Sequence, residues 1–254
     1  MYKEMKVYLL LCVALFAFVV AGCSGSGKSN IDTEDPDKAF GMAKANYDKK
    51  DYVQAIEDFS FIKVKFSGTS ISDKSQYFLG MSYLKQKEYI LAAYEFEYLL
   101  KNYGTSQYAV DGRFQLAMCY FGLSPKYSLD QLYTYQAITE FKNFLELYPT
   151  DKSAPDAEAK IKELRNKLAL KEMKSAELYN TMDNYKAATI YYDNVVNDYF
   201  DTEYADDALY GKIRMLIVRK KYDLAKKEIE RFETKFAGSD LLVKVKNLKN
   251  TLPQ

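Results

Sequence analysis

Two features of this 254-residue chain carry residue types suited to chemistry: three cysteines, Cys12, Cys23 and Cys119, and the run Gly22 to Ser29, which reads GCSGSGKS. The run satisfies G-x-x-x-x-G-K-[ST], in which backbone N–H groups cradle phosphates and the lysine reaches the terminal ones. Such a loop works between a buried strand and a helix whose amino end faces the phosphates. Here an apolar leader precedes it and a polar stretch follows, so nucleotide binding is set aside. The chain has no histidine, which removes the usual proton shuttle near neutral pH and the commonest transition-metal ligand. The cysteines form no C-x-x-C pair and imply neither a disulfide framework nor a zinc site. Cys119, between Met118 and Tyr120 in an apolar helical stretch, reads as a small buried hydrophobe. Carboxylates fall mostly on polar helix faces or in turns, as at Asp206-Asp207, where solvation accounts for them. No catalytic residue, metal site or cofactor is expected, and the composition points to a binding protein and not an enzyme.

Cys23 has a different setting. Lys3 and Lys6 precede an apolar run over 7–21, and the small residues Ala21 and Gly22 then lead into the cysteine, the order of a secretory signal peptide over 1–22. A membrane span needs about 17 to 25 apolar residues, so cleavage is the better reading. Val20-Ala21-Gly22-Cys23 resembles the bacterial lipobox, which implies lipid attachment at Cys23 and an anchor of several acyl chains, each buried CH₂ contributing about 0.8 kcal/mol. Ser24 in place of Asp after the cysteine is compatible, among lipoproteins, with delivery to the outer membrane, here on its periplasmic face. Residues 23–35 then read as a flexible tether. Removing the leader takes Lys3, Lys6 and Glu4 and leaves 34 basic and 34 acidic side chains. That balance disfavours a nucleic-acid partner, which calls for a dominant basic surface.

What must position any binding residues is a repeated element. Ala55, Ala92, Ala137, Ala188 and Ala225 serve as anchors. Three residues before them stand Tyr52, Tyr89, Thr134, Tyr185 and Tyr222; four after stand Phe59, Phe96, Phe141, Tyr192 and Ile229; seven after stand Ile62, Leu99, Phe144, Val195 and Phe232. These offsets share one helical face. Eleven after each anchor comes an aromatic, Phe66, Tyr103, Tyr148, Tyr199 or Phe236, followed by small or turn-forming residues that stop the helix. Twelve before four of the anchors lie Ala43, Gly80, Ala176 and Ile213 on a preceding helix. The unit is a helix-turn-helix hairpin that cannot cover its own apolar face, so neighbours are expected to stack into a superhelix with a concave groove.

Anchor spacings of 37, 45, 51 and 37 residues mark two insertions. The first, LSPKYSLDQL, falls between the two helices of the third unit. The second begins at Ser153-Ala-Pro-Asp156, which has the form of a helix start with a capping box. From it a charged helix with Ile161, Leu164 and Leu168 on one side is predicted to run into the fourth unit. The fold expected is all-α, five hairpins with a long joining helix between units three and four. Its halves are 36–150 with repeats one to three and 151–254 with the joining helix and repeats four and five.

This pattern resembles the tetratricopeptide repeat, although only Tyr148-Pro149 keeps the proline that often closes such a unit and the usual tryptophan is missing. The lipobox, five repeats, the SPKYSLDQ insertion and Lys167-Leu168-Ala169-Leu170-Lys171-Glu172 together resemble the BamD family of outer-membrane β-barrel assembly lipoproteins. That resemblance implies a scaffold that docks on the periplasmic domains of a BamA-like barrel insertase and receives unfolded outer-membrane β-barrel proteins. It further implies that the amino-terminal groove holds an extended carboxy-terminal substrate segment and that the carboxy-terminal repeats contact the insertase. First-helix residues expected to face the groove in part are Phe40, Lys44 and Tyr47; Tyr77, Met81 and Leu84; and Phe114, Met118 and Phe121. Aromatic and methionine side chains with a lysine suit an extended segment ending in an aromatic residue and a carboxylate. The alternative for each is packing between adjacent repeats. At the level of the whole chain, another periplasmic repeat lipoprotein that coordinates cell-wall or envelope processes remains open, as does a nutrient-capture lipoprotein.

Overall fold

Four of the five predicted second helices start at the residue three before their alanine anchor, the third starts at Leu132, five before Ala137, and all five end just short of the aromatic eleven after it. A computed structural model describes residues 28–253, and the signal peptide, Cys23 and most of the GCSGSGKS run lie outside them. In chain order the helices are α1 (Pro36–Asp48), α2 (Tyr52–Lys65), α3 (Ser72–Lys85), α4 (Tyr89–Asn102), α5 (Ala109–Leu123), α6 (Leu132–Leu147), α7 (Ala154–Thr181), α8 (Tyr185–Asp198), α9 (Ala205–Val218), α10 (Tyr222–Lys235) and α11 (Leu242–Asn250). Among the described residues there is no strand. All five anchor alanines are buried, as are the residues four and seven after each of them.

The aromatics at the eleventh position are the C-caps. Phe66, Tyr103, Tyr148, Tyr199 and Phe236 each leave helical geometry while donating a last N–H to the carbonyl four residues back. Each cap carbonyl then accepts the N–H three residues on, and that residue accepts the next N–H three further, as in Thr202 to Tyr199 at 3.1 Å and Ala205 to Thr202 at 3.4 Å. The same pair of tight turns recurs after every second helix, so each next helix begins at a fixed place. Within the hairpins the recurring device is a residue in the left-handed region: Lys50, Lys87, Asp183 and Lys220, with φ between 56° and 65°. Three of these turns are closed by an N–H reaching back five residues, Asp51 to Asn46, Asn184 to Tyr179 and Lys221 to Leu216, at 2.9–3.0 Å. This is the helix-ending motif in which glycine usually stands.

The described residues divide into two units, one ending at Gln86 and one beginning at Lys87. In the first, α1, α2 and α3 pack on one another around Ala39, Ala43, Phe59, Ile62, Ile71 and Leu79. In the second, each helix from α4 to α11 packs on the next in sequence, and α7 also touches α9. Gly112 and Gly122 let α5 approach α4, since a Cβ there would meet Leu99 at 2.7 Å and the Tyr89 ring at 2.5 Å. The 28-residue α7 is the joining helix, buried through Ala157, Leu164 and Leu168 before it becomes the first helix of repeat four. One detail of its start differs from the sequence reading. Ser153 is the N-cap but makes no side-chain cap bond; its own N–H instead donates to Asp151 Oδ1 at 2.8 Å, so the turn and not a capping box sets the entry. Beyond the fifth repeat, α11 adds a half-unit that buries Val245 against α10 and ties Lys249 to Glu233 at 2.9 Å.

Candidate functional site

The amino-terminal unit gathers three of the predicted groove residues around a fourth that sequence reasoning did not single out. Phe40, Lys44 and Tyr47 recur along one face of α1, and Phe78 stands opposite on α3. Phe40 and Tyr47 meet the Phe78 ring edge-on, with centroids 5.8 and 5.2 Å apart. Lys44 Nζ lies 5.0 Å above the same ring and pairs with Asp48 at 2.6 Å. Phe40 further contacts Phe59 of α2 and carries Lys74 Nζ over its ring, 4.6 Å from the centroid. All three are half-buried, and the ring pairs span the first helices of adjacent repeats. Tyr77 is buried with its ring against Phe78, and Met81 and Leu84 are half-buried further along α3. The signal for Phe78 was present: it lies fourteen residues before Ala92, next to Tyr77.

In the second unit Phe114 is only 8% exposed, enclosed by Phe141 and Phe144 at 5.8 and 5.4 Å. That leaves little of its ring for a ligand. Met118 and Phe121 are half-buried beside the same cluster, with Lys160 Nζ 4.3 Å from the Phe121 centroid. Cys119, between them in sequence, is buried and free, and burial pushes its thiol up to about 12. The thiol therefore stays protonated and acts as packing.

The two sequence segments that distinguished the chain, the third-repeat insertion and Lys167 to Glu172, are in direct contact. Lys167 Nζ donates to Ser124 Oγ at 2.8 Å and Lys171 Nζ to the Leu129 carbonyl at 2.6 Å. Gln131 is buried beneath the loop and donates to the Lys126 and Leu129 carbonyls, while its amide oxygen accepts from Thr134. The loop backbone is thus held from below by Gln131 and from the side by α7. Desolvation lowers the Lys167 pKa from its ordinary value. On the outer surface Leu129, Leu132 and Tyr135 stay more than half exposed.

Repeats four and five are joined through charge. Lys212 of α9 is 5% exposed and donates to both oxygens of Asp193 of α8 at 2.7 and 2.8 Å and to Glu228 of α10 at 2.8 Å. Arg231 completes the cluster on Asp193 and Glu228 at 3.1 and 3.3 Å. Further along, Arg165 of α7 holds Asp201 through Nε at 2.9 Å, and that bond keeps the Asp201 carboxyl below its usual range. Among the described residues no cluster suits a metal ion, and no helix is long and apolar enough to cross a membrane.

A family model described as outer membrane lipoprotein, YfiO, matches residues 32–231. The outer membrane protein assembly factor BamD of Rickettsia prowazekii is 23% identical over 219 residues, spanning 86% of this chain and 87% of that protein. The factor of the same name from Pasteurella multocida is 24% identical over 78% of this chain and 79% of its own length. Among solved structures, a TPR repeats protein of Bacteroides fragilis aligns with a TM-score of 0.42 and 17% identity, covering 86% of this chain and 87% of that one.

Proposed function

Because this chain belongs to the YfiO family of outer membrane lipoproteins, we propose that it is a lipid-anchored scaffold for inserting β-barrel proteins into the outer membrane, held there through Cys23. The observation that carries the reading is the bonding of the two family-like segments, with Lys167 and Lys171 fixing the third-repeat insertion; the curated relatives named above, assembly factors for outer membrane proteins, agree with it. In this role the protein performs no bond chemistry. It offers rigid helical faces, and its two units divide the work. The Phe40, Lys44, Tyr47 and Phe78 surface takes an extended apolar segment with a terminal carboxylate near Lys44, while the carboxy-terminal repeats, four and five, dock on the periplasmic domains of the insertase.

A rigid face suits such work because an unfolded barrel loses chain entropy when it is held, and a preorganised surface adds no further ordering cost of its own. Depletion of the protein followed by quantitative envelope proteomics tests the role. Outer-membrane barrels are expected to fall while inner-membrane proteins and other lipoproteins hold their levels. Unchanged barrels would reject the assembly reading and favour a different envelope process.

A further inference from the structure

The residues that lead from the anchor into α1 are bound to the first hairpin. Ser29 Oγ donates to Asp58 Oδ1 at 2.9 Å and the Asn30 N–H to the same oxygen at 3.3 Å. Ile31 is buried in the core formed by α1, α2 and α3. At one end Gln54 Nε2 reaches the Lys28 carbonyl at 3.4 Å; at the other, Lys65 Nζ reaches the Thr33 carbonyl and Glu34 at 3.3 and 2.8 Å. The strap therefore runs parallel to α2 from its first turn to its last, and Asp35 then caps α1. Asp58 is almost fully buried, and its other contacts, Asn46 Nδ2 at 2.7 Å and Gln54 Nε2 at 2.9 Å, come from the hairpin itself. Strap and hairpin thus share one buried carboxylate.

Direction gives the strap its consequence. The chain leaves the hairpin at Lys28, beside Gln54 and the α1–α2 turn, and only five peptide links separate Lys28 from Cys23. Fully extended they span roughly 18 Å. We infer that the α1–α2 turn is the part of the amino-terminal unit that rests on the membrane, with Lys28, Lys49 and Lys50 facing phospholipid phosphates. All three lysines are exposed, as is Val53 at the start of α2. Of the acids nearby, Asp48 is paired with Lys44 and Asp51 accepts the Gln54 N–H as the α2 N-cap. Val64, near the opposite end of α2, lies about 16 Å from Val53 along the helix axis, eleven residues at 1.5 Å each, on the side away from the lipid. The inference rests on lipid attachment at Cys23 and adds an orientation to it.

The test uses the full acylated protein in vesicles of phosphatidylethanolamine and phosphatidylglycerol, 3:1, doped with a headgroup-quencher lipid. A fluorophore is placed at Val53→Cys or Val64→Cys, positions 61% and 81% exposed. Quenching at residue 53 should exceed that at 64 several-fold. The pair Ser29→Ala and Ile31→Gly, which loosens the strap while changing no helical residue, should bring the two sites together. Lys49→Glu with Lys50→Glu should lower quenching at 53 about twofold in these vesicles and leave it unchanged in phosphatidylcholine. Equal quenching at 53 and 64 in the unaltered strap, with Cys23 acylated by mass, would overturn the orientation alone. An unmodified Cys23 would overturn the anchor and the orientation together.

Discussion

Asp58 in the first unit and Lys212 in the second are both charged and both almost fully enclosed, yet their surroundings differ in kind. Asp58 is met by four neutral donors, two of them on an irregular segment. Lys212 is met by two carboxylates on flanking helices, with Arg231 closing the ring. A buried ion held by neutral groups depends on every one of them, since each lost hydrogen bond uncovers charge. An ion inside a network of opposite charges locks helices together but leaves a large uncompensated charge when one member goes. The first arrangement suits a segment fastened to a hairpin, the second a rigid junction between repeats four and five.

The contrast can be broken at its strongest point first. Lys212→Met leaves Asp193 and Glu228 near one another with Arg231 as their remaining shared cation and should cost about 3 kcal/mol in denaturant unfolding of the second unit. Adding Glu228→Met should recover more than half of that, and a double variant no better than the single would show that packing, not charge, holds the junction. Asp58→Ala leaves the Asn46 amide unmatched and frees the strap, a loss of about 2 kcal/mol with faster hydrogen exchange at residues 29–34. Unchanged exchange there would detach the strap from Asp58. Arg165→Ala removes an exposed pair and should cost under about 1 kcal/mol at pH 7. Because Arg165 lowers the Asp201 pKa, this stabilisation is fully present above the ordinary aspartate value of 3.8 and is lost as pH falls through the lower value that Asp201 has in the folded protein. The gap between the melting curves of the two proteins should therefore narrow as the pH is taken below 3.8. The smallest effect expected is a gain: Lys220→Gly relieves a left-handed lysine and should raise stability by about 0.5 kcal/mol in thermal melts, whereas a loss would mean the lysine side chain contributes more than its backbone strain costs.

Much of the fold could be read from spacing because hairpin packing repeats its demands. Ala137 is enclosed for the same reason as Ala55, and Tyr199 ends its helix as Phe66 does, so five weak signals reinforce one another. The long α7 was legible from Leu164 and Leu168 recurring on one face after a proline-containing start. Single polar partnerships carry no such periodicity. Nothing in the order of residues links Ser29 to Asp58 across 29 positions, or Lys167 to Ser124 across 43. The left-handed residue within each of four hairpin turns was hidden for another reason: lysine or aspartate occupies the position where glycine would have announced it. Of the groove residues, Phe40 and Tyr47 share one surface with Phe78, but the period that places Phe114 on a first helix does not tell the side facing α6 from the side facing outward.

The scaffold role is tested most directly by contact with its clients in living cells. A photoreactive amino acid at Tyr47, beside Phe78, should capture newly made barrel proteins during a short pulse and release them during a chase, while the same group at exposed Val243 of α11 should capture none. Equal capture at the two positions, or adducts at residue 47 that never chase, would contradict the account.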